Sequence, residues 1–258
     1  MPEKLIKKMK RQIVHAAYLA GEGHVASAFS ILDLLWVLYD KVMSFDATRP
    51  DEIYLDHFVL SKGHASLALY AVLAEKGILA DDSLNNFCQY DGKLGGHPDC
   101  NKILGVEAST GSLGHGLPIA VGMALGSKIS QFNNRIFCLI GDGECNEGTI
   151  WESSLLAAHH QLSNLCCIVD YNHSTDRALD LNDLAGKFKS FGWEVLSIPG
   201  HDHQEIFHAL SHRHPHRPLA IIAETIKGYG IKSMENEPAW HHRSPNAEEL
   251  NSMIKELS

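Results

Sequence analysis

From residue 135 onward the chain alternates between two kinds of segment. Short apolar, β-branched runs, RIFCLIG (135–141), LCCIVDY (165–171), WEVLSI (193–198) and PLAIIAETI (218–226), are separated by stretches with helical spacing of apolar residues, over 148–162, 183–190 and 203–212. Runs that are apolar throughout, rather than alternating, belong to strands of a parallel sheet covered on both faces, and each intervening segment has the length of a crossover. The pattern predicts an α/β fold: a doubly wound parallel sheet with helices on both faces, linked by right-handed βαβ units.

The first half reads as more helical. Leu5, Met9, Ile13, Ala16, Ala17 and Ala20 share one face of an amphipathic helix, which separates this basic start from a secretory signal. Ser30 is expected to cap ILDLLWVLYDKVM, and FVLS (58–61) reads as a strand feeding a helix over 65–76. Ser244 as N-cap and Pro245 at the first helical position are expected to start a terminal helix. The small residues of GSLGHGLPIAVGMALGSK read as a surface for close helix packing. No repeat, low-complexity tract or linker interrupts the pattern, so residues 1–258 are expected to form a single domain.

Charge and composition narrow the partners. Twenty-two Lys and Arg against 31 Asp and Glu give a net charge of −9, which argues against a nucleic acid or an anionic membrane surface as the partner. No run approaches the ~18 apolar residues of a membrane span, so a small-molecule site is the default. The six cysteines include no CxxC pair, and adjacent Cys166 and Cys167 would point to opposite faces of a strand; reduced thiols in a cytoplasmic protein are expected. Among the 17 histidines, the HRHPHRP run (212–218) lacks zinc-site spacing and reads as a solvated loop, and Cys145 reads as a plain loop thiol.

Ligands of open α/β sheets bind beyond the carboxyl ends of the strands, so the residues following each run are the informative ones. FVLS is followed by KGHAS with His64, RIFCLI by GDGECNEG, LCCIVDY by NHSTD, and PLAIIAET by IKGYG. In Gly141-Asp142-Gly143 the glycines would allow a tight turn and close backbone approach, while Asp142 offers a hard oxygen suited to Mg²⁺ or Ca²⁺. A helix beginning near Gly148 would aim its unpaired N–H groups at the same place. Asn172 follows Gly143 after 28 residues, one helix plus one strand, and so reaches the neighbouring strand end. Together these features suit a diphosphate held through a divalent cation.

GDG followed at this distance by Asn resembles the thiamine diphosphate motif, and the chain resembles the N-terminal part of transketolases. The likeness runs nearly end to end through GEGHVASAFSILDLLWVLY, FVLSKGHASLALYAVLAEKG, GGHPD, GVEASTGSLGHGLPIAVGMAL, GDGECNEGTIWE, KFKSFGWEV and ETIKGYG…ENEPAWHHRSP. The resemblance implies a metal (Mg²⁺, or Ca²⁺ or Mn²⁺) held by Asp142, Asn172 and the carbonyl of Ser174. It implies that Gly141 and Gly143 lie at the phosphates, that His64 contacts the diphosphate side, and that Gly111, Ser112 and Leu113 lie along the cofactor's rings. His24, His97 and His241 match histidines of the family's substrate mouth, where neutral imidazoles bind hydroxyls and move protons. Glu147 and Glu152 match carboxylates that face a partner subunit.

Val25, His115 and the segment HSTDRA after Asn172 depart from the family's usual pattern. The resemblance further implies that the pyrimidine-binding domain, with its activating glutamate, comes from a C-terminal transketolase subunit in an α2β2 assembly acting on sugars or sugar phosphates. Two other functions stay open: a related enzyme subunit for a specialised sugar or secondary metabolite, and a non-catalytic paralogue. A scaffold has no physical need for Asp142, Asn172 and four histidines together.

Overall fold

The computed structural model describes residues 2–49, 52–176 and 178–258; Met1, Pro50, Asp51 and Arg177, the last within the unusual segment after Asn172, lie outside them. Five strands, β1 (His57–Leu60), β2 (Ile136–Gly141), β3 (Leu165–Tyr171), β4 (Glu194–Pro199) and β5 (Leu219–Glu224), pair in parallel in the order β1-β2-β3-β5-β4. The central strands β2 and β3 are buried along their whole length, which is why their sequences carry no polar alternation.

Helices α1 (Pro2–Ala20), α2 (Val25–Val37), α3 (Ser66–Glu75), α7 (His203–Ser211) and α8 (Ala247–Glu256) cover one face; α4 (Gly116–Ile129), α5 (Gly148–His159) and α6 (Leu184–Ser190) cover the other. Crossover handedness accounts for part of this division. The chain moves in one direction across the sheet from β2 to β3 to β4, with α5 and α6 on the same side. It then steps back from β4 to β5, and a right-handed connection in the reverse direction places α7 on the opposite face. The period of two splits each strand between the cores: Phe137, Leu139 and Cys166 pack under the first helix layer, and Cys138, Ile140 and Cys167 under the second. All six cysteines are free thiols.

Register brings the chemistry to one edge. Gly141 lies opposite Asp170, Asp170 opposite Ala223, and Tyr171 opposite Glu224, so Asp142, Asn172 and Thr225 emerge together. Gly23, at φ +143° and with Ala17 and Leu67 only 3.3 Å from where a Cβ would sit, turns the chain from α1 into α2 and delivers His24 to the same edge.

Several local expectations change. Ser30 does not cap a helix: α2 starts five residues earlier, and Ser30 is buried inside it. The cap of α8 is Asn246, which accepts from the Glu249 N–H while the Glu249 carboxylate accepts from the Asn246 N–H; this reciprocal box outcompetes Ser244 and Pro245 just upstream. Gly122 and Gly126 of α4 do not mediate close packing within the chain, since both have open space where a side chain would be. With the exposed Ile119, Ile129, Leu155 and Leu156 they form an apolar outer face on α4 and α5.

Phe29 of α2 is fully buried, with the Lys10 ammonium 5.1 Å above its ring. Phe29→Ala is expected to cost about 3–5 kcal/mol, measured as a lower urea midpoint at unchanged slope; a loss under about 1 kcal/mol would contradict this packing of α2.

Candidate active site

The strand ends are joined by Glu144, in the short 3-10 turn Asp142–Asn146 that follows β2. One carboxylate oxygen accepts from the Ser61 hydroxyl (2.5 Å) and the Gly114 N–H (2.8 Å), and the other from the Gly141 N–H (2.8 Å). Ser61 in turn accepts from the Gly116 N–H at 3.1 Å. One buried acid thus fixes the end of β1, the end of β2 and the 111–116 loop. Burial pushes its pKa up, against the pull of these donors.

A second hub sits one strand over. Asp170, without solvent exposure, accepts from Ser30 of α2 (2.7 Å), from Thr225 after β5, from the Lys62 ammonium after β1, and from the Asn172 amide (3.1 Å). The Asn172 amide nitrogen also donates to Ser30 at 3.0 Å, so its carbonyl oxygen is turned the other way. That oxygen receives the Ser174 N–H at 3.1 Å, and the Ser174 hydroxyl donates to Asp142 Oδ1 at 3.2 Å. Asp142 Oδ2 is buried with no hydrogen-bond partner. Burial, then the nearby Asp170 charge, raises the Asp142 pKa. A buried carboxylate oxygen with nothing to bind, beside an amide oxygen held in place, is a donor set suited to a hard cation. No three His, Cys, Asp or Glu side chains converge as a metal set among the described residues, so a cation at this edge would rest on one carboxylate plus neutral oxygens. Gly143 leaves open space where a Cβ would project, and a cavity of about 410 Å³ alongside is lined by Asn172, Ser174, Lys227 and His241 among others.

Imidazoles form the outer part of the site. The His24 ring lies 5.0 Å from His64, 5.5 Å from His241 and, stacked, 4.4 Å from His242. His24 Nδ1 is 2.7 Å from the His241 carbonyl oxygen, which can only accept, so the His24 proton is on Nδ1 and Nε2 is a bare acceptor. His241 is arranged the other way: the Lys227 ammonium donates to its Nδ1 at 3.0 Å, leaving Nε2–H as a donor. A hydroxyl or carbonyl oxygen between them would meet one acceptor and one donor. Burial, reinforced by neighbouring imidazoles, pulls His24 down to about 4; burial and then Lys62 pull His64 down to about 2; burial and then Lys227 lower His241. Lys227 is itself lowered by burial and then by Lys62.

The structure therefore brings together His24, His64, His241, Asp142, Gly143, Asn172 and Ser174. His97 packs its ring against Gly111, whose φ of +146° and 2.9 Å clearance admit no side chain, and Ser112 and Leu113 stand exposed beside it. Glu147 and Glu152 are separate from this group, exposed along α5 next to Leu155 and Leu156. Neither Gly141 nor Gly143 has a positive φ, so the turn does not need glycine's backbone freedom; only the open approach at Gly143 survives from that expectation. α5 begins at Gly148, as expected, and its start is tied to the Gly114 carbonyl through Thr149 (2.9 Å). His115 turns back onto the Leu113 carbonyl at 3.0 Å. Cys145 is buried, and burial drives its pKa well up.

Sequence reading missed Lys62, Glu144, Asp170, Thr225, Lys227, His242 and the true role of Ser30. A signal existed for Asp170: an acidic residue inside the otherwise apolar run LCCIVDY has to find buried donors.

Comparison with known proteins places these residues in a family. The profile described as "Transketolase, thiamine diphosphate binding domain" matches residues 2–258. One subunit of the apulose-4-phosphate transketolase of Actinobacillus succinogenes is 38% identical over 263 residues, covering 99% of this chain and 95% of that protein. The 6-deoxy-6-sulfo-D-fructose transketolase subunit SqwG of a Clostridium species is 37% identical over 244 residues, covering 92% and 89%. Among solved structures, transketolase from Campylobacter jejuni superposes with a TM-score of 0.89 at 32% identity; it covers 98% of this chain, but the chain spans only 42% of that longer protein.

Two outcomes test the site's construction. Glu144→Gln keeps the shape but turns one of the two accepting oxygens into an amide donor that faces a donor, and should cost about 1–3 kcal/mol in urea unfolding; an unchanged midpoint would contradict the hub. His64 titrates near 6.5 unfolded and about 2 folded, so the unfolded chain takes up its proton first and stability is lost as pH falls below 6.5. His64→Gln should flatten the fall in stability between pH 7 and 5; an unchanged slope would contradict the buried, neutral imidazole.

Proposed function

This chain belongs to the transketolase family, through its thiamine diphosphate-binding domain, and from that we propose that it is the N-terminal subunit of a two-chain transketolase. It transfers, with its partner, a two-carbon ketol unit from a ketose donor to an aldose acceptor. The observation that carries the site is the buried, unpartnered Oδ2 of Asp142 beside the oriented amide oxygen of Asn172. These two oxygens, with the Ser174 carbonyl, would hold Mg²⁺, or Ca²⁺ or Mn²⁺ in its place, against the cofactor diphosphate.

Bound thiamine diphosphate supplies the nucleophilic carbon that accepts and passes on the ketol unit. The chain's own residues do the rest of the work on this side. Gly143 leaves open space for the phosphates, with Gly141 before it at the strand end, His64 faces the diphosphate, and Gly111 to Leu113 lie along the rings. His24, as an acceptor, and His241, as a donor, take opposite ends of the proton traffic at substrate oxygens, with His97 beside them. Lowered pKa values keep His24 and His241 neutral near pH 7, the state in which each has one donor and one acceptor nitrogen.

The whole of residues 1–258 acts as one domain, and the aminopyrimidine-activating glutamate comes from a C-terminal subunit. The apolar face of α4 and α5, edged by Glu147 and Glu152, suits assembly into α2β2. No helix among the described residues is long and apolar enough to cross a membrane, and the enzyme is placed in the cytoplasm as part of this proposal. A specialised donor is favoured over the common pentose phosphates by one observation: the relatives matched over about nine-tenths of their length are subunits named for apulose 4-phosphate and a sulfonated fructose.

The test is made on the chain co-purified with its partner. With thiamine diphosphate and Mg²⁺ the complex should transfer ketol units from at least one ketose in a panel including xylulose 5-phosphate, apulose 4-phosphate and sulfofructose, while the single chain turns over none. Asp142→Ala should abolish metal-dependent cofactor binding in calorimetry with the melting temperature little changed. Unchanged affinity in the variant, or turnover by the single chain, would contradict the reading.

A further inference from the structure

A pair outside the site, buried Asp33 and half-buried His201, stands between α2 and the segment that carries Lys227. His201 follows Gly200 at the end of β4, where Gly200 lies so close to β5 that a Cβ would collide with the Thr225 methyl and sit 2.9 Å from the Glu224 carbonyl. His201 Nε2 accepts the Ile226 N–H at 2.9 Å, so Nδ1 carries the proton and donates it to Asp33 Oδ2, also at 2.9 Å. The other Asp33 oxygen accepts from His203 Nε2 at 2.7 Å. The His201 ring is stacked 3.7 Å from Tyr229, whose carbonyl accepts from buried Lys10 at 2.5 Å. Burial alone would raise the Asp33 pKa, but the bonds from His201 and His203 and the nearby Lys10 hold it at about 2, so the carboxylate is a fixed anion.

We propose that Asp33 and His201 are positioning residues that act through Lys227: Asp33 fixes the His201 tautomer, His201 holds the Ile226 N–H, and the adjacent Lys227 is thereby aimed at His241 Nδ1. This inference rests on the role proposed above for His241. The backbone around Lys227 is held at three points: Ile226 N–H by His201, the Lys227 carbonyl by the Asn236 N–H (2.9 Å), and the Gly228 N–H by the Ala26 carbonyl (2.9 Å). His201 is the side-chain member of the three, and its hydrogen bonds go to Asp33 and the Ile226 N–H. Ala26, Ser30 and Asp33 are spaced i, i+4, i+7 on α2, so one helix face sets the Lys227 segment, Asp170 and His201 together. Losing the His201 link frees the stem of Lys227. The ammonium then no longer reserves His241 Nδ1 as an acceptor, and the donor on His241 Nε2 is no longer guaranteed.

The experiment is a double-mutant cycle on the assembled two-chain enzyme. His201→Phe keeps a ring over Tyr229 and removes both nitrogens; it should lower kcat/KM for the ketose on the order of 10- to 100-fold, and His201→Gln, which returns an acceptor near Nε2, should recover most of it. In a Lys227→Met background, His201→Phe should change kcat/KM by less than about 2-fold, because the residue it acts through is already gone. A second readout needs no turnover: ¹⁵N spectra of labelled histidine, with His241 assigned by its loss in His241→Gln, should show His241 Nδ1 unprotonated in the native chain and a tautomer mixture in His201→Phe. If His201→Phe does not fold, Asp33→Asn is read in the same way. Full additivity with Lys227→Met, or a His241 signature indifferent to His201→Phe, overturns the proposal. A native complex without ketol transfer would instead overturn the proposed function, and the spectra would still decide the relay.

Discussion

A carboxylate with no access to water has to be surrounded by donors, and Asp170 obtains them from four separate parts of the chain: Ser30, Lys62, Asn172 and Thr225. Because those donors come from α2 and from the ends of β1, β3 and β5, satisfying one acid aligns the edge of the sheet. The Asn172 amide is oriented by the same bonds, which turn its oxygen away from Asp170 to the Ser174 N–H, and the Ser174 hydroxyl reaches Asp142. Lys62 and Lys227 then add positive charge at an edge that would receive a diphosphate, and the Asp142 oxygen left without a partner is where a cation fits.

The outer histidines inherit their chemistry from this framework. For His24 and His241 a neighbour commits one nitrogen, which leaves the other in a known state. The His241 carbonyl commits His24 Nδ1, and Lys227 commits His241 Nδ1, giving an acceptor and a donor within one cluster. The segment carrying Lys227 is held from behind by His201 and by the Ala26 carbonyl, so the packed layer of α2, β4 and β5 stands behind the imidazole cluster.

Much of this was legible in the sequence because it depends on periodicity. Strand and helix order, the division of Cys166 from Cys167, and the arrival of Asp142 and Asn172 at neighbouring strand ends follow from repeats of two and 3.6 and from chain length. What could not be read depends on contacts between residues far apart in the chain. Ser30 looked like a cap because its local context suits one, yet it is drawn into the core by an acid 140 residues away. Gly122 and Gly126 looked like packing residues and have no neighbour to pack against within the chain itself. Asn246 took the cap expected of Ser244 through a reciprocal bond with Glu249. Glu144 was hidden in plain view beside Asp142, since only the folded loop at Gly114 shows what it binds.

The central claim is that the diphosphate tail of the cofactor is clamped by a divalent cation between Asp142 and Asn172 of this chain. Crystals of the two-chain complex grown with thiamine diphosphate and Mn²⁺ and measured at the manganese edge test it most directly. The account predicts one anomalous peak within coordination distance of Asp142 Oδ2 and the Asn172 side-chain oxygen, next to the phosphates. Cofactor density with the manganese peak elsewhere, or phosphates seated away from these two residues, would contradict it.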